Sequence, residues 1–118
     1  MSAETQLYDA LAANGALAAA IATRIYPDFL AQEISLPAVV YQRAETEYVT
    51  TVHDGLVHGS RVTMEIWCLA TTRVGAEQVA DLAEGAIAGA FLPIDRRPEF
   101  DPDSATFVTV ISVTVWPS

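Results

Sequence analysis

The two histidines are the side chains of this sequence best suited to hold a transition metal. His53 and His58 lie five residues apart, and Asp54 adds a carboxylate oxygen, a set of groups that zinc accepts. However, side chains alternate between the faces of a strand, so residues five apart point in opposite directions. His53-Asp54-Gly55 is also a hairpin-turn sequence. The spacing therefore favours solvated turn histidines, and we predict no metal site.

Carboxylates offer two further arrangements that could do chemistry. Four acids near the C-terminus could in principle collect calcium: Asp95, Glu99, Asp101 and Asp103. Their spacing differs from that of a calcium loop, and Pro98 and Pro102 restrict the backbone. Glu45 and Glu47 could form an acid and base pair, but they lie two apart on an extended segment. A charged loop and a polar strand face explain both sets better.

Nucleophiles and phosphate-binding loops are also missing from the sequence pattern. Cys68 is the only cysteine, which excludes an intramolecular disulfide and a multi-cysteine zinc site. It lies in a strand-like run and is best interpreted as a small buried hydrophobe. Ser60 has no glycine two positions later, and Gly55 and Gly59 are isolated. We therefore predict that the chain is not an enzyme and uses no cofactor.

Composition limits the possible partners. The 118 residues suit one domain, residues 1–118, and 52% of them are hydrophobic. The formal charge is −9, with six arginines and no lysine. Because binding to phosphates depends on basic side chains, neither specific DNA binding nor an anionic membrane surface is expected. The N-terminus lacks the positive region of a signal peptide, so we expect the protein in the cytoplasm.

The N-terminal part of the sequence predicts two short helices. Leu7, Tyr8, Leu11 and Ala12 recur at helical spacing after the acidic Glu4. Asn14-Gly15 should end this helix, and a second one, 16–22, follows with Leu17 and Ile21 on one side. The Arg24-Ile25-Tyr26-Pro27 corner should close the helical region, because proline favours extended structure before it. Residues 28–36 are expected to be irregular.

The middle of the chain predicts strands. Residues 38–43 are rich in β-branched and aromatic side chains, and 45–52 continue or pair with them. After the turn, the clearest strand covers 57–70. One of its faces suits a core beneath a helix: Val62, Met64, Ile66, Cys68 and Ala70. The other face is mixed and suits a subunit contact: Arg61, Thr63, Glu65, Trp67 and Leu69.

The C-terminal part predicts a helix and a closing strand. Thr71 or Thr72 should cap a helix over 73–90. Residues 93–106, rich in proline and acids, predict an exposed loop or a ragged edge hairpin, and 107–116 alternate as a strand. The expected fold is α+β, with helices packed on one face of a mainly antiparallel sheet and a long β-hairpin in the middle.

The order of these segments resembles the phage tail-completion or tail-terminator family of long-tailed phages, prophages and gene transfer agents. The likeness covers nearly the whole chain. Its most specific part is the Arg24-Ile25-Tyr26-Pro27 corner followed by Leu36-Pro37-Ala38-Val39-Val40-Tyr41. A strand ending in Trp67-Cys68, an alanine-rich helix and the ending Ser112-Val113-Thr114-Val115-Trp116 complete it.

The resemblance implies a structural role without catalytic residues. Members of this family are similar to ring-forming subunits, commonly six per ring, that cap the tail tube, end its growth and join it to the head connector. The implied partners are further copies of the chain, the tail tube protein and a head-side stopper or connector protein. DNA would pass through the ring without specific binding. The protein would assemble in the cytoplasm and then become part of the particle.

Two alternatives remain open at this point. One is a head-side stopper or connector ring. The other is a homodimeric α+β domain that binds an apolar small molecule in a cleft lined by Met64, Trp67 and Trp116.

The interface residues are predicted from the hairpin and the outer face of the long strand. His53, Asp54, Gly55 and Leu56 form an expected hairpin tip that orders on assembly. Val57, Arg61, Trp67 and Leu69 form the expected subunit or partner contact.

Overall fold

A five-stranded sheet with three helices on one face forms the fold. A computed structural model describes residues 3–22, 24–27, 36–50, 57–88 and 91–115, with the backbone alone at 47–50 and 57–60. The elements are α1 (Ala3–Ala12), α2 (Gly15–Ile21), β1 (Ile25–Pro27), β2 (Ala38–Thr50), β3 (Val57–Ala70), α3 (Arg73–Ile87), β4 (Leu92–Asp101) and β5 (Thr106–Val115). The strand order is β1-β2-β3-β5-β4, antiparallel except for β1 with β2. The predicted α+β class is confirmed.

The two N-terminal helices form because leucine and isoleucine recur four residues apart. Leu7 and Leu11 of α1 and Leu17 and Ile21 of α2 are all fully buried. The Asn14 side chain caps α2 by accepting a hydrogen bond of 2.9 Å from the Leu17 amide. The apolar face of α1 is narrower than predicted: the side chain of Tyr8 is 42% exposed, and Ala12 is exposed.

The central strand β3 has the two faces that its alternation predicts. Val62, Met64, Ile66 and Cys68 are fully buried and face the helices. Burial raises the pKa of the Cys68 thiol well above its ordinary value, because the thiolate would lose its hydration. The prediction of a small buried hydrophobe is therefore confirmed.

Helix α3 covers the centre of the sheet. Thr72 caps it, since its hydroxyl accepts a 3.0 Å hydrogen bond from the Gly75 amide. A Cβ at Gly75 would lie 3.0 Å from that hydroxyl oxygen, so glycine leaves room for the cap. The helix ends at Ile87, earlier than predicted, and Val74 in its first turn is 66% exposed.

The structure corrects one strand prediction and decides between the alternatives of two others. Residues 25–27, expected only to end the helical region, form β1 and pair in parallel with Val39–Tyr41. Of the two alternatives for 45–52, the continuation of 38–43 is observed, because β2 runs from Ala38 to Thr50 with a bulge between Arg43 and Glu45. Residues 92–101 form the edge strand β4 of a hairpin with β5, so the exposed-loop alternative is wrong.

The β2–β3 hairpin extends past the rest of the sheet. Strand β5 pairs with β3 only from Val62 to Ala70. Beyond that point, among the described residues, β2 and β3 pair only with each other, from Glu47 opposite Arg61 to Thr50 opposite Val57. We call this two-stranded extension, residues 47–50 and 57–61, the arm. A two-stranded ribbon is marginally stable in water, which makes the arm a natural contact element.

Candidate functional site

The side of the sheet opposite the helices, here called the open face, carries the predicted contact residues of β3. Trp67 pairs with Val40 of β2 on one side and Val110 of β5 on the other. Both valines are almost fully buried, whereas Trp67 and Leu69 are partly exposed. The described helices all pack on the other face, so an aromatic ring and a leucine are available to a neighbouring molecule here.

Glu65 is the centre of a polar network on the open face. Its Oε1 accepts hydrogen bonds from Gln42 Nε2 at 3.1 Å and from Trp67 Nε1 at 3.2 Å. Its Oε2 accepts one from an Arg97 guanidinium nitrogen at 3.0 Å. Burial alone would raise the pKa of Glu65, but these three donors outweigh it and lower the pKa. The network fixes the orientation of the Trp67 ring.

The structure brings part of the predicted interface together. Arg61, Trp67 and Leu69 lie on the same strand and by alternation on the same face, and the backbone of Val57 lies in the arm. His53, Asp54, Gly55 and Leu56 lie outside the described residues. Sequence reasoning missed the role of Arg97, because a segment interpreted as an exposed loop or a ragged edge hairpin gives no register from which to find its partner.

A second ion-pair network lies on the helical side. Arg96 of β4 reaches across to α3 and donates to Asp81 and Glu84, each at 2.9 Å, and to Glu77. The three acids recur at positions 77, 81 and 84, one stripe of the helix. The hydrogen bond from Arg96 lowers the pKa of Glu77. The network joins the edge strand to the helix layer.

The arginines are committed to contacts within the chain. Arg24 Nε donates to the Pro37 carbonyl at 2.8 Å, and Arg43 holds Glu4 through two nitrogens at 2.7 and 3.0 Å. Arg73 donates to the Val108 carbonyl at 2.9 Å and lies over the Phe107 ring. With Arg96 and Arg97, five of the six basic residues stabilise the fold. This use of arginine gives no support to a phosphate-binding surface.

Exposed apolar side chains concentrate on the edge strand β4. Leu92, Ile94 and Phe100 are 68%, 56% and 50% exposed, and Val74 on α3 is the other strongly exposed aliphatic residue of the described part. The arginines of β4 point back into the chain's own ion pairs, as described above. The strand therefore presents hydrophobic rather than basic groups to its surroundings.

Among the described residues, clefts open on the helical side. One, of about 130 Å³, lies between α1 and α2 and is lined by Tyr8, Leu11, Ala12, Ala18, Ala22 and Ile25. The other, of about 320 Å³, lies beside the start of α3 and includes Pro37, Thr72 and Val79. Of the residues expected to line a small-molecule cleft, Met64 and Trp67 point to opposite faces of β3, and Trp116 lies outside the described residues.

The described residues place further limits on the chemistry. No three histidine, cysteine or acidic side chains among them lie close enough together to hold a metal ion. None of the helices in this part of the chain has the length and apolar character needed to cross a membrane.

Comparisons with known proteins agree on one type of protein. A family model described as "Tail completion protein gp17" matches residues 5–117. Among twelve matching chains of solved structures is one from the "Virion of native gene transfer agent (GTA) particle". Its TM-score is 0.70 at 13% identity, over 93% of this chain and 90% of that chain, a likeness that shows the fold. No curated protein sequence matches.

Proposed function

Because this chain belongs to the tail completion protein gp17 family, we propose that it forms a homo-oligomeric ring, with six copies, at the end of a phage-type tail tube. The observation that carries the proposal is the family match over 5–117, almost the whole described fold. Tail completion is a structural role, and it requires contact surfaces rather than catalytic groups. In this role the ring ends tube growth and joins the tube to the head connector.

The distribution of surfaces supports ring formation. A closed ring needs heterologous contacts, in which one patch of a subunit meets a different patch of the next. The chain offers unlike surfaces: the open face around Trp67, the arm, and the apolar edge strand β4. The open face and the arm are the proposed subunit or partner contacts. The ring's other partners are the tail tube protein and a head-side stopper or connector protein.

The charge of the chain supports a passive passage for DNA. A ring multiplies the −9 charge of one copy, and five arginines already serve internal contacts. Like charges repel, so DNA would slide past an acidic lumen without binding it. The ring would assemble in the cytoplasm and then remain in the particle.

Deletion of the gene in a particle-producing strain tests the role in tail completion. We expect electron microscopy to show unjoined heads beside overlong tubes or tail debris, because nothing ends the tube or connects it. A plasmid copy of the gene should restore joined particles. Normal joined particles in the deletion strain would contradict the proposal.

Substitution of Trp67 tests the open face as a contact. We expect Trp67→Ala to weaken assembly by about tenfold or more, the scale of an interface tryptophan, as measured by its incorporation into particles. The monomer should still fold, because Ile66 and Met64 on the other face remain packed. Trp67→Phe, which keeps a ring at this position, is the matched control. A variant monomer found unfolded by circular dichroism would make Trp67 a core residue instead.

A further inference from the structure

We propose that neighbouring copies of this chain meet edge to edge, with Leu92 and Ile94 of one copy seated in the α1–α2 cleft of the next. This contact rests on the proposed ring and specifies how its subunits join. It uses the β4 edge of the sheet, where Leu92 pairs with Thr114 at the margin of the open face, and it does not include Trp67 or Leu69.

The inserting part is the start of β4. Leu92 and Ile94 are two of the most exposed large hydrophobic side chains of the described residues. The pairing of β4 with β5 shifts by one residue between Pro93 and Asp95, and Ile94 lies in this bulge. A bulge twists an edge strand and redirects a side chain away from the ladder. Prolines at 93 and 98 discourage backbone pairing along this edge, so side chains would make the contact.

The receiving part is the cleft between α1 and α2. Its lining is largely apolar, three of its six residues are alanine, and Tyr8 at 42% exposure lies on one wall. The volume of about 130 Å³ is close to that of an apolar cavity, about 150 Å³, that accommodates benzene. One branched aliphatic side chain therefore fits, with a second against the rim.

The two parts lie at opposite ends of the sheet. Strand β4 is the last in the strand order, while the cleft includes Ile25 of β1, the first. A contact between opposite edges is heterologous, and its repetition with a fixed rotation generates a ring. A second copy of the chain is therefore the proposed occupant of the α1–α2 cleft.

Charge complementarity favours the same pairing. Asp95 follows Ile94 directly, and its side chain is 55% exposed, with Arg97 at 3.6 Å. Arg24 precedes Ile25 of the cleft lining and is only partly buried. An acidic group thus lies beside the inserting side chain, and a basic group lies beside the receiving cleft. The acidic stripe of α3, in contrast, offers Asp95 only repulsion.

Disulfide trapping tests this contact. Cys68 is fully buried, so cysteines placed at exposed positions provide the reactive thiols. In the Ile94→Cys/Ala18→Cys variant, mild oxidation should give a ladder of covalent oligomers up to the closed ring on a non-reducing gel. A mixture of the two single variants should give mainly heterodimers joining residues 94 and 18, because each copy then offers one half of the contact.

The matched control is Val74→Cys/Ala18→Cys. Val74 is as exposed as Ile94 but lies on α3, so this variant should give at least tenfold less trapped oligomer. The same oxidation is carried out on particles that contain the variants. Absence of the 94–18 disulfide both in solution and in particles, or equal trapping through residue 74, overturns the contact. Such a result leaves the tail-completion role intact, since that role fails only if particles form normally without the gene.

Discussion

Replacing Ile66 with alanine is expected to lower the free energy of unfolding by about 2–5 kcal/mol. Ile66 lies at the centre of β3, is fully buried, and pairs with Tyr41 on β2 and Ile111 on β5. The substitution removes buried methyl groups and leaves a cavity that the packed helices can fill only in part. Since domains of this size are stable by about 5–15 kcal/mol, the variant should show a much lower urea midpoint.

The matched control for this substitution is Ile94→Ala. It makes the same chemical change in the same sheet, but Ile94 is 56% exposed in the monomer. Its free energy of unfolding should therefore change by no more than about 0.5 kcal/mol. Equal losses for the two variants, measured on the monomer by urea titration, would contradict the assignment of the core to the helical side of the sheet.

Replacing Arg96 with methionine is expected to cost about 2 kcal/mol of unfolding free energy at neutral pH. Methionine keeps much of the aliphatic stem but leaves Glu77, Asp81 and Glu84 on one helix stripe without their shared cation. The Arg96 side chain is 27% exposed, so the cost should exceed that of an ordinary surface ion pair. Strand β4 would also lose its attachment to α3.

The effect of Arg96→Met should depend on pH. The pKa of Glu77 is lowered in the folded chain, so its ionised form stabilises the fold above the unfolded pKa of about 4.3. This contribution disappears as the pH falls through the folded pKa, and the difference between wild type and variant should shrink below about pH 4. Arg43→Met, which removes the more exposed pair with Glu4, should have a smaller effect. A difference that stays constant down to pH 2 would exclude the carboxylates as its cause.

The elements that the sequence predicts well are those whose pattern is local. Leu7 with Leu11 and Leu17 with Ile21 mark helices through spacing alone, and the structure buries all four. Strand β3 could be predicted equally well, because its residues alternate with a period of two, which places Met64 and Trp67 on opposite faces. Thr72 was one of two candidate caps, and the bond to Gly75 shows which one is used.

The elements that the sequence could not predict depend on distant partners. Strand β1 has only three residues, too few for any periodicity, and exists through its pairing with Val39–Tyr41. For residues 93–106 the sequence left a loop and a ragged edge hairpin open, because Pro93 and Pro98 are typical of loops. The hairpin is formed through pairing with β5 and ion pairs with α3 and Glu65. No local pattern identifies such partners.

Part of the candidate contact surface could also be predicted from the sequence. Alternation placed Trp67 and Leu69 on the outer face, where the structure leaves both partly exposed. The Glu65 network could not be predicted from the sequence, because it joins residues from β2, β3 and β4. The interface roles of Arg61 and of the arm stay predictions, as does that of His53 to Leu56.

Two adjacent arginines attach the edge strand β4 to groups on both faces of the sheet. Arg96 and Arg97 are neighbours on β4, so alternation sends one to α3 and the other to Glu65 on the open face. An edge strand normally peels away first, as its outer side has no neighbour to hold it. Here peeling must break charged contacts on both faces of the sheet together. Local opening of β4 is therefore expected to cost more free energy than the opening of an edge strand that is held on one face alone.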